Sequence, residues 1–279
     1  MRVFIAGGSG VLGRALIPML RAAGHEVIAT TRSLSKFARV ADTGATPFLL
    51  DALDRTATVR AVVETRPDAI VHLLTDLTAG DSGSNARLRT AGTRHLVDAA
   101  HEVGTSRMVA ESISWIHSPG RELATESDPL DLDAPEPRQT TISAVRALEG
   151  TVRELDDGGV LRFGQLYGPG TWYSTAGRFG DAARAGELPA TETVTSFVHT
   201  SDAAAALLLA LGWGRGTWNV VDDEPASGHE WVPRFAAAVG APPPTSSTSG
   251  DIGRPVSNAA ARAAGLTLRY PSWRDGFFA

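Results

Sequence analysis

Cysteine is absent from the 279 residues, lysine occurs once (Lys36), and the three tyrosines all follow residue 166. Without cysteine there is no disulfide framework, no thiolate chemistry and no zinc–thiolate site. The seven histidines are scattered, and His95 and His101 miss the i, i+4 spacing of a helical metal site, so no metal is expected. No apolar run reaches the ~18 residues that cross a bilayer. The opening MRVFIAGGSG has too short an apolar stretch for a signal peptide. A cytoplasmic protein without a membrane partner is the expectation. A net charge of −5 argues against nucleic acid, whose phosphates need a cationic surface. What is present, 43% hydrophobic and 20% charged residues, suits a globular chain with a large core and little disorder.

Hydrophobic spacing orders the chain. Val3–Ala6 is a short apolar run stopped by glycine, the pattern of a buried parallel strand. Val11–Ala23 then carries Val11, Leu12, Ala15, Leu16, Met19 and Leu20 at helical spacing, and Gly24 ends it. Further strands are expected at Val27–Thr30, Pro47–Leu50, Ala69–Leu74, Arg107–Ala110 and Val160–Phe163, with helices at Thr56–Thr65, Asn85–Val103 and Arg138–Leu155. Such alternation predicts an α/β chain with a Rossmann-type doubly wound parallel sheet. After Gly168 strict alternation lapses. Residues 1–165 are therefore read as a dinucleotide-binding domain, with returning segments near 195–222, and 166–279 as mostly a smaller C-terminal substrate-binding lobe. There is no internal repeat.

The turn between the first strand and helix is Gly7–Gly8–Ser9–Gly10–Val11–Leu12–Gly13. Small residues serve a tight turn, close backbone approach to phosphate and helix-on-strand packing, and the helix N-terminus favours an anion. Gly7, Ser9, Gly10, Val11, Leu12 and Gly13 are thus candidate pyrophosphate contacts. An NAD site commonly offers a carboxylate ~20 residues past the turn. Here stand Thr30, Thr31 and Arg32, followed by Ser33 and Lys36. Hydroxyls and a cation suit a 2′-phosphate, so NADP(H) is favoured over NAD(H); otherwise Arg32 is a solvated loop cation. Asp51, with Ala52 and Leu53, can accept from the adenine amino group or cap the helix starting near Asp54. Leu73, Leu74 and Thr75 end the fourth strand, where ligands gather in parallel sheets.

These residues resemble the extended short-chain dehydrogenase/reductase family of epimerases, dehydratases and related reductases. The likeness covers most of the chain. It includes GGSGVLG, Asp51–Ala52–Leu53, the strand end VHLLT, Gly92–Thr93 with Leu96–Val97–Asp98–Ala99–Ala100, and Leu166–Tyr167–Gly168–Pro169–Gly170. Phe197–Val198–His199 with Asp202–Ala203–Ala204, and Trp218–Asn219–Val220, continue it. The family usually works with a serine or threonine, a tyrosine and a lysine, the last two four residues apart on one helix. With Glu149 as the register mark, Thr141 stands at the tyrosine position and Val145 at the lysine position; a one-residue shift offers Ile142 and Arg146. Arg89 replaces a frequent asparagine. The resemblance is therefore to an atypical member that lacks the Tyr-xxx-Lys pair.

Ser112 and Ser114 are hydroxyl candidates after the fifth strand, although strict alignment to His117 puts Ile113 at the serine position. His117 and Tyr167 are candidate proton carriers, the alternatives being a surface histidine and a structural tyrosine. Glu111 ends a buried strand, where a carboxylate is costly unless paired, with Arg89 or Arg162, or facing the cleft. Asp76 has the same ambiguity. Trp115, Trp172 and Tyr173 can wall an apolar substrate or belong to a core. Ser201–Asp202 is expected to cap a helix. The implied function is an NAD(P)-dependent oxidoreductase or epimerase for a small alcohol or ketone in secondary metabolism. A non-redox dehydratase, cyclase or isomerase and a non-catalytic NADP(H) sensor are the alternatives. The expected partner is a small-molecule substrate, with the homodimer an open alternative to the monomer.

Overall fold

A computed structural model describes residues 1–76, 82–248 and 250–277. Strand β1 (Arg2–Ala6) enters the glycine turn and helix α1 (Val11–Ala22) leaves it. There follow β2 (Glu26–Thr31), α2 (Phe37–Ala41), β3 (Thr46–Leu49), α3 (Arg55–Thr65) and β4 (Ala69–His72). Helix α4 (Ser82–Arg87) runs through a wider turn, Leu88–Gly92, into α5 (Thr93–Val103). Then come β5 (Arg107–Ile113), α6 (Arg138–Val152), β6 (Asp157–Phe163), β7 (Gln165–Tyr167), α7 (Arg178–Arg184), β8 (Val194–Thr195) and β9 (Phe197–His199). The last elements are α8 (Thr200–Ala210), β10 (Gly216–Val220), β11 (Ala226–Ser227), α9 (Gly228–Ala238), α10 (Ala259–Ala263) and α11 (Trp273–Gly276).

A seven-stranded sheet has the order β10-β6-β5-β4-β1-β2-β3. Pairing is parallel from β3 through β2, β1 and β4 to β5. The chain steps outward from β1 to β3, then returns to place β4 on the other side of β1. Strand order therefore reverses between β1 and β4, and in such sheets the ligand crevice lies outside the strand ends at that point. This is the doubly wound Rossmann architecture expected above.

Two compact units partition the chain: Met1–Ser112, Leu132–Leu161 and Ala204–Thr217 form the first, and Ile113–Asp131, Arg162–Ala203 and Trp218–Ala279 the second. In the first, Phe4, Ile70 and Met108 from the strands pack with Leu96, Val97 and Leu148 from the helices, all at 5% exposure or less. In the second, Phe197 sits among Tyr167, Tyr173, Trp231, Trp273 and Phe277 in an aromatic core.

Several expected boundaries shift for identifiable reasons. β4 ends at His72, not Leu74, because the Leu74 N–H turns to His72 Nδ1 (3.2 Å). β5 runs three residues beyond Ala110; polar Glu111 and Ser112 obscure a strand that continues through them. The 3-10 turn Leu34–Lys36 and α2 fill a stretch with too few apolar residues to show a period. Ser201 and Asp202 lie inside α8 instead of preceding it. Ser201 Oγ bonds His199 Nδ1 (2.7 Å), and the Asp202 carboxylate accepts from the N–H groups of Arg269 (2.8 Å) and Tyr270 (2.9 Å).

Candidate active site

At the reversal point of the sheet, close approach leaves no room for side chains. Gly7 adopts φ +97°, and a Cβ there would lie 2.5 Å from the Leu73 carbonyl oxygen. A Cβ on Gly13 would lie 2.6 Å from the Gly8 carbonyl oxygen, so helix α1 can press against the turn only with glycine at that position. The turn is closed by Gly10 N–H to Gly7 O (3.1 Å) and tied to β2 by Gly7 N–H to Thr30 Oγ1 (3.1 Å). Gly10 caps α1 with no side-chain hydrogen bond, and no acidic residue follows in the helix's first turn. Gly7, Ser9, Gly10, Val11, Leu12 and Gly13 line this turn at the N-terminus of α1, the kind of strand–turn–helix junction that can receive an anion.

At the end of β2, Thr31 is buried and Thr31 Oγ1 accepts the Ser33 N–H (3.3 Å). Arg32, half exposed, donates to Asp76 Oδ2 at 3.2 Å. Asp76, whose place the sequence left ambiguous, is thus an ion-pair partner for Arg32, and its N–H is held by Asn85 Oδ1 (2.9 Å). Asp51 accepts the Leu53 N–H (3.0 Å), while Asp54 caps α3 by accepting the Ala57 N–H (2.9 Å). The capping role considered for Asp51 belongs to Asp54. Ala52 is buried, and its carbonyl is held by His95 Nδ1 (2.9 Å).

Below this lies a chain of buried polar groups. His72 Nδ1 accepts the Leu74 N–H, and His72 Nε2 bonds Thr93 Oγ1 (2.8 Å), which donates to the Arg89 carbonyl (2.6 Å). That sequence of donors assigns the neutral Nε2–H tautomer. Burial and the Arg89 charge bring its pKa down to about 4. Glu111, on β5, is pushed up to about 7 by burial, with Arg89 opposing the shift. Arg89 is the cation that faces Glu111, whereas Arg162 donates to the Glu126 carbonyl (3.2 Å). The two stand apart without an ion pair.

Ser112 Oγ donates to Glu149 Oε1 (2.9 Å), and Arg153 donates to Glu149 Oε2 (3.3 Å) and to Thr217 Oγ1 (2.6 Å). On α6, Thr141 is partly exposed and Val145 fully buried. Ser114, His117 and Tyr167 belong to the second unit. Ser114 is buried, and its N–H bonds the Phe163 carbonyl (2.9 Å). His117, far from being a surface residue, is buried against the Pro129 carbonyl (3.4 Å) and pairs with Leu130 in a short antiparallel bridge. Burial and Arg162 pull its pKa down. Tyr167 OH is sealed with no partner among the described residues, edge-on to His199 and Phe277, and burial drives its pKa upward. Tyr173 belongs to the aromatic core, Trp172 packs on Phe179, and Trp115 is 37% exposed.

The sequence singled out Arg89 as the residue standing for an asparagine and as one of two possible partners for Glu111, not as a candidate site residue. Its place was legible in the helix phase: it precedes buried Thr93 by four residues and buried Leu96 by seven. Among the described residues, no helix is long and apolar enough to cross a membrane and no cluster of three His, Asp or Glu could hold a metal.

Comparisons with known proteins agree with this geometry. Over 304 aligned residues the chain is 41% identical to a 3-diazoavenalumate denitrifying reductase from a Streptomyces species, covering 99% of each. It is 35% identical over 134 residues to a 4-hydroxy-2-methyl-3-oxo-4-farnesyl-3,4-dihydroquinoline-1-oxide ketoreductase from Stigmatella aurantiaca, covering 47% of this chain and 39% of that protein. The Thermus thermophilus UDP-glucose 4-epimerase solved with NAD shares the fold at TM-score 0.80 and 24% identity, covering 100% of this chain and 97% of that one. The model of the NAD dependent epimerase/dehydratase family, in which an NAD(P) cofactor is typical, matches residues 3–220. Glycine cradle, strand reversal and full-length likeness converge, and this chain belongs to the NAD dependent epimerase/dehydratase family of enzymes.

Proposed function

We propose that the chain is an NAD(P)H-dependent reductase for a small electrophile that takes hydride without a proton from the protein, and that this electrophile is a diazonium-bearing acid. The observation that carries the reading is the α6 sequence, with Thr141 and buried Val145 where the family resemblance implies tyrosine and lysine. A ketone needs a proton on oxygen as hydride reaches carbon, and the tyrosine–lysine pair is suited to supply it. Lys36 lies just after β2, and no tyrosine precedes Tyr167. Reduction of a diazonium has no such need. The reduced dinucleotide supplies hydride, so that a C–H bond forms as the C–N bond breaks and R–N2⁺ plus H⁻ becomes R–H plus N2. A relative at 41% identity is named for denitrifying reduction of a diazo compound.

In this reading Gly7, Ser9, Gly10, Val11, Leu12 and Gly13 hold the pyrophosphate, and Thr31 and Arg32 the adenosine ribose with its 2′-phosphate, favouring NADPH. Asp51, Ala52 and Leu53 border the adenine. Leu73, Leu74 and Thr75 lie along the cofactor towards its reactive end. Residues 166–279 supply most of the substrate lobe. Ser112, Ser114, His117 and Tyr167 serve packing and positioning instead of proton delivery, in keeping with the engaged Ser112 hydroxyl and the enclosed Tyr167 phenol. A second reading, reduction of a small ketone, draws on the likeness to a ketoreductase over 47% of this chain.

Isotope labelling separates the readings. With 4-deuterated NADPH and 4-carboxybenzenediazonium, N2 release should match cofactor oxidation and exceed the enzyme-free rate. The product should carry deuterium at the former C–N carbon. Solvent protium in place of deuterium at that carbon, or release of N2 with the cofactor unconsumed, would overturn the proposal. Faster turnover of a ketone panel under the same conditions would move the assignment to ketone reduction. Conversion without change of oxidation state would indicate the non-redox chemistry.

A further inference from the structure

Arg89 lies within the wide turn Leu88–Gly92 and is only 7% exposed. A guanidinium carries five N–H donors in a rigid fork and no acceptor. Among the described residues none of those donors has a hydrogen-bond acceptor or an ion-pair partner. The neighbouring polar groups are engaged elsewhere. His72 spends Nδ1 on the Leu74 N–H and Nε2 on Thr93. Glu111 is coupled to Arg89 through its charge yet is not bonded to it. Burying a cation without acceptors is strongly unfavourable, and buried arginines are ordinarily matched by an anion.

We infer that Arg89 is an anchor for an anionic oxygen ligand bound beyond the carboxyl ends of β4 and β5, and that this ligand is the carboxylate of the substrate. A guanidinium meets a carboxylate through two parallel N–H···O bonds, which fixes orientation as well as charge. The dinucleotide's phosphates are the other source of the same chemistry. In the proposed reading they are served by the glycine turn at the end of β1 and, for a 2′-phosphate, by Arg32, which pairs with Asp76 in this structure. Glu111 borders the site as a neighbour whose proton affinity burial has raised, so it tolerates a second carboxylate better than an ordinary glutamate would. The inference goes beyond the diazonium reading, because it concerns binding of the acid group whatever the reacting carbon carries.

Calorimetric titration of the NADPH-loaded protein tests it without turnover. The probes are benzoate, cinnamate and sorbate, each beside its neutral amide, with NADPH and NADH titrated in parallel into the unloaded protein. In the wild type at least one acid should bind roughly 10- to 100-fold more tightly than its amide, as expected for charge-assisted hydrogen bonds. Arg89→Met should erase that preference, Arg89→Lys should keep part of it, and dinucleotide affinity should stay within about twofold. Arg89→Gln replaces Arg89→Met if the latter does not fold by circular dichroism. No acid preference in the wild type, or a preference surviving Arg89→Met and Arg89→Gln, would overturn the inference. So would an equal loss of dinucleotide affinity, which would give the guanidinium to the cofactor's phosphates. Because no reaction is required, a failed denitrification assay leaves this comparison standing.

Discussion

Arg32 donates to Asp76 Oδ2 at 3.2 Å, joining the loop after β2 to the loop after β4 across the intervening β1. The pair is half exposed on its cationic side, and exposed pairs are worth only ~0–1 kcal/mol. Arg32 can therefore exchange Asp76 for a phosphate at little cost. Arg32→Ala is expected to weaken NADPH binding roughly tenfold and leave NADH unchanged, since a phosphate contact is a charge-assisted bond. Asp76→Asn should tighten NADPH a few-fold by removing a competing anion. Fluorescence titration of both cofactors decides; equal effects on NADPH and NADH would reject the 2′-phosphate role.

Gly13 and Gly24 offer a controlled comparison. An alanine Cβ at position 13 meets the Gly8 backbone at 2.6–2.7 Å, while at Gly24 nothing lies within 4 Å, although φ is +80°. Gly13→Ala should cost ~1–3 kcal/mol by overpacking and lower dinucleotide affinity at least tenfold. Gly24→Ala should cost ~1 kcal/mol from backbone strain and leave affinity alone. Denaturant unfolding paired with cofactor titration measures both.

Ser112 is held by Glu149. Ser112→Ala should lower stability by ~1 kcal/mol, the worth of a hydrogen bond to a charged acceptor less its desolvation. Its kcat/KM should remain within about threefold of wild type. A hundredfold fall with unchanged stability would instead make Ser112 a catalytic hydroxyl.

Tyr167 carries a buried hydroxyl with no partner among the described residues. Tyr167→Phe removes an unsatisfied group and should leave stability equal or raise it by ~1 kcal/mol. If the phenol donates a proton in turnover, kcat should collapse; we expect a change of less than threefold, measured with the deuterated-cofactor assay.

His72 is neutral in the folded state, with a pKa brought down to about 4. A depressed folded pKa means that its contribution to stability is present above the unfolded value near 6.5 and is lost as pH falls towards about 4. Nitrogen-detected NMR should show the Nε2–H tautomer persisting below pH 5. A midpoint near 6.5 would contradict the hydrogen-bond assignment.

The alternation of apolar runs and helical periods was sufficient for the sheet because buried parallel strands leave an unbroken apolar signature that needs no partner to be recognised. Gly7, Gly10 and Gly13 were legible for a similar reason: their spacing answers local geometry. The polar interior was not. Glu111 was visibly costly in a strand, yet its sequence could not choose between Arg89 and Arg162, which are remote from it along the chain. Asp51 and Asp54 are both reasonable caps by composition, and only the path of the backbone into α3 gives that task to Asp54.

By itself, then, the sequence determined the Rossmann order of elements, the glycine-rich turn and the absence of tyrosine and lysine from the segment that forms α6, all properties of residue type and short-range spacing. Tertiary structure alone decided that Arg32 faces Asp76, that Ser112 is committed to Glu149, that Tyr167 is sealed in an aromatic core and that Arg89 is buried with no acceptor among the described residues. Hydrogen bonds and buried charges join groups tens of residues apart, and their partners are chosen when the chain packs.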